Sequence, residues 1–88
     1  MSYYLYILHS SKIDRYYIGI SNEPKLRLQY HNLGEKGWTK RGIPWSIAFT
    51  KEFSDRGKAQ KWEAWLKQQK NRSIIEKILT GKFNWKLE

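Results

Sequence analysis

The chain has 88 residues, room for a single domain over 1–88 with a modest core. Five Trp, six Tyr and three Phe offset its small size, because each aromatic side chain buries a large area. It has no Cys, which excludes a disulfide framework and any thiolate metal site. Against 8 Asp and Glu stand 17 Lys and Arg, a net charge of +9. Such an excess suits a polyanion partner through phosphate neutralisation and counterion release, although solubility alone would also account for it. The opening MSYYLYILHSSK has no basic region before its apolar run. That run is too short for a signal peptide or a membrane span, so the reading is cytoplasmic, with no membrane partner.

Taken in chain order, two runs rich in Tyr, Ile and Leu come first, Tyr3–Leu8 and Arg15–Ser21, around a polar segment from His9 to Asp14. They read as a β-hairpin with His9 exposed at its turn. Alternation puts Leu5, Ile7, Ile18 and Ile20 on a core face. Tyr6 and Tyr17 fall on the other face, beside a gap at Gly19. Those tyrosines are either ordinary sheet aromatics or part of a site. Gly19 marks either a bulge or a place where a backbone or phosphate approaches closely. A helix over Glu23–Leu33 follows, capped by Asn22, with Pro24 in its first turn and Gly34 at its end. Arg27 and His31, four apart, share one of its faces.

The segment from Gly34 to Pro44 holds three glycines and a proline and reads as a long loop. Lys36, Lys40 and Arg41 surround Trp38 in it. The loop either meets a nucleic-acid backbone and a stacked base, or is solvated with Trp38 tucked onto the core. Trp45–Phe53 then alternates Trp45, Ile47, Phe49 and Phe53 with smaller or polar residues, broken only at Lys51. That is a half-buried strand, the third of an antiparallel sheet. Ser54 or Asp55 caps a helix running to Gln69, whose apolar stripe is Ala59, Trp62 and Leu66. Glu63 lies on that stripe, and a carboxylate there needs a partner: Arg27, another cation, or a divalent metal. A last helix, Arg72–Leu79, opens at Asn71 or Ser73 and stops at Gly81, and Phe83 and Trp85 return to the core.

Tyr4-Leu5-Tyr6, then Tyr17-Ile18-Gly19, then Arg27 and His31 four apart, and later Glu63, form an ordered set. In it the chain resembles the GIY-YIG nuclease family, in particular its small stand-alone bacterial members, from Tyr3 to about Leu66. The second triplet matches outright. In the first, Tyr4 stands where the family name has Gly. The resemblance implies an α/β (α+β) fold, a three-stranded antiparallel sheet flanked by about three helices. It also implies a metal-dependent endonuclease, with Tyr6, Tyr17, Arg27 and His31 as catalytic residues and Glu63 as the ligand of Mg²⁺ or Mn²⁺. Gly19, Lys36, Trp38, Lys40 and Arg41 complete the expected nucleic-acid contacts. One departure stands out. Larger members carry an Asn on the stretch after the metal-binding Glu, and here Asn71 comes too early and Asn84 too late.

Two functions follow. The first is an endonuclease that nicks DNA, RNA not being excluded, with low sequence specificity or selectivity for structure, in repair or recombination. The second is a non-catalytic nucleic-acid-binding module on a nuclease scaffold, which the missing Asn favours. No small-molecule substrate is expected. So short a sequence has little surface for reading a long site, and a partner protein would supply targeting.

Overall fold

A computed structural model describes residues 2–34, 37–69 and 71–85, apart from the side chain of Trp38. The elements run β1 (Tyr3–Ser10), β2 (Arg15–Ser21), α1 (Pro24–Leu33), a short 3-10 helix (Trp38–Gly42), β3 (Trp45–Phe53), α2 (Arg56–Gln69) and α3 (Arg72–Leu79). The three strands form one antiparallel sheet in the order β2-β1-β3. The architecture is the expected one, with the 3-10 helix inside the segment read as loop.

The hairpin turn is tighter than its sequence implied. His9 and Ser10 belong to β1, and the turn is confined to the four residues after them. Asp14 takes a left-handed φ of 51°, which a short polar side chain tolerates. Its carboxylate accepts from His9 Nε2 at 3.0 Å, and Ser10 Oγ accepts from the Ile13 amide at 3.3 Å. His9 is therefore a half-buried strand residue tied to the turn, not an exposed turn residue.

Within the hairpin Leu5 faces Ile20, Ile7 faces Ile18, Tyr6 faces Gly19 and Leu8 faces Tyr17. Directly opposed residues share a face, so the hairpin has the two faces expected of it. The first packs Leu5, Ile7 and Ile18 against Trp62 and Leu66 of α2 and Ile78 of α3. Phe83 and Trp85 close this cluster, with Trp85 stacked on Phe49 at 5.9 Å. The second face gathers Tyr6, Leu8 and Trp45, with Tyr17, Leu28, Ile43 and Ile47 against them.

The alternation in β3 misassigns half of its apolar residues. The pairing with β1 slips between Ile7, which faces Phe49, and Leu8, which faces Ile47. This bulge at Ala48 turns Trp45 and Ile47 to the second face and leaves Phe49 and Phe53 on the first. The strand is thus packed on both sides rather than half-buried on one.

Helix ends follow local chemistry. α1 begins with Pro24 after an N-cap at Glu23, not Asn22, and the Glu23 amide is held by Ser21 Oγ at 2.9 Å. Gly34 ends it at φ 69°, where a β-carbon is disfavoured. Asp55 Oδ1 accepts the Gly57 amide at 2.8 Å at the start of α2, and Asn71 Oδ1 accepts the Ser73 amide at 2.9 Å at the start of α3. Among the described residues, no helix is long and apolar enough to cross a membrane.

Candidate active site

The second sheet face carries the candidate site. Tyr6 is 3% exposed, and a methyl group placed on Gly19 would lie 2.5 Å from its hydroxyl oxygen and 2.6 Å from its Cζ. Gly19 exists to seat the Tyr6 phenol. The space expected to admit a phosphate or another backbone is filled by that ring, and Gly19 is itself buried, which removes it from the nucleic-acid contacts.

Around Tyr6 the rings converge. Tyr17 lies 6.4 Å away between centroids and His31 lies 6.5 Å away, while Tyr17 and His31 are 4.4 Å apart. Two strands and α1 thus bring three proton-handling side chains into one cluster. Burial pushes the Tyr6 hydroxyl up to about 12, helped by Tyr17 and Glu63 and opposed by the positive charge of Arg27. The phenol therefore keeps its proton and is available to donate a hydrogen bond. Arg27 shares a face of α1 with His31, and Glu63 reaches the Tyr17 side of the cluster through Lys67. Burial and the neighbouring Arg27 lower the His31 imidazole from its ordinary 6.5, so His31 is neutral at neutral pH.

Glu63 is on the inner side of α2, its side chain 20% exposed. Of the three partners considered for it, a cation of the chain is present. Lys67 Nζ lies 3.3 Å from Glu63 Oε2 and 5.7 Å from the centre of the Tyr17 ring. The carboxylate and the phenol thus face one ammonium group. The i,i+4 spacing of Lys67 from Glu63 is the sequence signal that could have found this pair. As a metal centre the donor set is sparse. Among the described residues no three His, Cys, Asp or Glu side chains converge. A lone carboxylate nevertheless fits Mg²⁺, which keeps several waters and commonly takes only one or two protein carboxylates.

A second residue had no sequence signal. Asn32 donates from Nδ2 to the Trp45 carbonyl at 3.1 Å, and its Oδ1 accepts from the Trp45 amide at 2.6 Å. This clasp joins the end of α1 to the start of β3. It matters because α1, which carries Arg27 and His31, has no fully buried residue of its own. Trp45 in turn donates from Nε1 to the Thr39 carbonyl at 2.7 Å, fixing the 3-10 helix. That helix presents Lys40 and Arg41 to solvent. Lys36 and the Trp38 side chain lie outside the described residues. Asn71 is occupied in capping α3.

The GIY-YIG catalytic domain family matches residues 2–78, and the chain belongs to that family of nucleases. The match reaches past Leu66, where the sequence resemblance faded, into α3. In three dimensions the chain is similar to the UPF0213 protein BH0048 from Bacillus halodurans, solved by solution NMR. That structure has a TM-score of 0.59 and 25% identity, over 93% of this chain and 86% of the other. No curated protein matches the chain.

Proposed function

We propose that the protein is a metal-dependent endonuclease that hydrolyses phosphodiester bonds in DNA. It nicks with low sequence specificity or by recognising structure, in repair or recombination. The observation that supports this most is the convergence of the Tyr6, Tyr17 and His31 rings.

Glu63 is the residue that holds Mg²⁺ or Mn²⁺, and the bound ion supplies an activated water and charge neutralisation at the phosphate. Tyr17 orients the attacking water or, once its own phenolic proton has passed to solvent, takes that water's proton. Tyr6, kept protonated, donates to Tyr17 or to that water and fixes its direction. Arg27 offers a planar fork to the phosphate oxygens as negative charge develops on them. His31, neutral and 4.4 Å from Tyr17, contacts the phosphate or relays a proton toward the leaving oxygen. Lys40 and Arg41 add phosphate contacts from the 3-10 helix, and a partner protein supplies targeting.

The test is incubation of the purified protein with supercoiled plasmid and with branched or flapped oligonucleotides, in Mg²⁺ or Mn²⁺ against EDTA. Nicked circles that appear only with the divalent ion are expected. The second reading, a binding module without catalysis, has its own support in the engagement of Glu63 by Lys67 and of Asn71 by its cap. Tight, salt-sensitive DNA binding with no cleavage under any of these conditions would establish it instead.

A further inference from the structure

Beside the proposed catalytic cluster lies a cavity of about 360 Å³ that shares only Arg27 with the roles above. Its walls include Tyr3, Glu23, Leu26, Arg27, Tyr30 and Arg56. Arg27 thus belongs both to this cavity and to the phosphate-binding role. Leu26 and Tyr30, four apart on one face of α1, are 46% and 55% exposed. Apolar residues at that spacing ordinarily face the core. Here they wall an open cavity instead. In the same lining the Arg56 guanidinium lies 5.8 Å from the centre of the Tyr3 ring.

Two phenol faces, a guanidinium over one of them and a leucine make a lining for a flat aromatic ligand. Arg27 and Arg56 suit a phosphate at the edge of the cavity, while Leu26 and the two phenol rings suit a flat apolar group within it. For a base, the Glu23 carboxylate can accept from an exocyclic amino group. A base inside a duplex is already stacked on its neighbours and paired, and taking it out costs a few kcal/mol. An unpaired base is free to enter.

We propose that this cavity receives an unpaired nucleobase of the DNA strand, next to the phosphodiester held by Arg27. The preferred substrate then carries a single-stranded nucleotide beside the bond that is cut. The proposal rests on the nuclease reading for the position of that bond, and names the substrate structure the site selects.

The test pairs a binding readout that needs no catalysis with a cleavage readout. An oligonucleotide with 2-aminopurine at an unpaired position, and its fully paired counterpart, are titrated with protein in EDTA. Stacking in the cavity quenches the unpaired probe with wild-type protein and with Tyr17→Phe. Tyr30→Ala weakens binding of the unpaired probe by about 5- to 100-fold, the range of one lost base–aromatic stack. Arg56→Ala weakens it less. Both side chains are exposed, so the variants should fold, which circular dichroism checks. With Mg²⁺, cleavage of the unpaired substrate exceeds that of the paired one, and Tyr30→Ala collapses the ratio. Undiminished binding of the unpaired probe by Tyr30→Ala would overturn the proposal, as would cleavage without quenching, which leaves the nuclease reading intact. Quenching lost in Tyr30→Ala with no cleavage by any form supports the base site and removes the nuclease reading.

Discussion

Tyr6 and Gly19 form a pair in which each residue explains the other. The phenol occupies the space a β-carbon would need, so Gly19→Ala pushes the ring into a packed face. Overpacking of that kind costs about 1–3 kcal/mol. Chemical denaturation should show that loss, together with reduced nicking as Tyr6 leaves the cluster. The ionisation of Tyr6 makes a separate prediction. Its folded-state value is raised from 10.0 to about 12. Below pH 10 both folded and unfolded chains keep the proton, and the contribution is whole. Between about pH 10 and 12 the unfolded chain loses its proton first, so stability falls as pH rises. Denaturation of wild type and Tyr6→Phe across this range should therefore show a steeper loss in the wild type. For His31 the sign is opposite. Its lowered value means the unfolded chain takes up a proton first as pH falls below about 6.5, and this residue then opposes folding.

At the level of the element, α1 decides whether the site exists. The helix carries Arg27 and His31 but has no fully buried residue, so the Asn32 clasp on Trp45 has to hold it in place. Replacing Asn32 by Ala removes two hydrogen bonds to the Trp45 backbone, at a cost of about 2 kcal/mol. It should also lower cleavage by displacing His31, which denaturation and nicking rates measured together will show. The helices and the strand count were legible in the sequence, because periodicity and turn chemistry set them locally, while the grouping of Tyr6, Tyr17 and His31 was implied only by the family resemblance. The clasp was not, because it joins residues 13 apart through a side chain that no pattern singles out. Nor was the bulge at Ala48, since strict alternation cannot announce an extra residue. Gly19 was misread for a related reason: a glycine in a strand marks a close approach, but not which group approaches.

For the whole molecule, the charge of +9 suits a polyanion partner and makes salt the condition that tests it. Neutralising roughly four phosphates gives a slope near −3.6 in log affinity against log salt, so DNA binding weakens by about 10²-fold between about 50 and 200 mM salt. Fluorescence anisotropy at several salt concentrations measures that slope, and a flat response would remove DNA as the partner. In the proposed function charge governs association and the cluster on the second sheet face governs cleavage, so the two can be tested separately. The decisive measurement follows cleavage rate and DNA affinity in parallel for wild type, Tyr17→Phe and Glu63→Gln. The account predicts a loss of about 10²- to 10⁴-fold in rate for each variant, the scale of proton-transfer and metal-ligand roles, with affinity nearly unchanged. Cleavage that persists at the wild-type rate in both variants would contradict it.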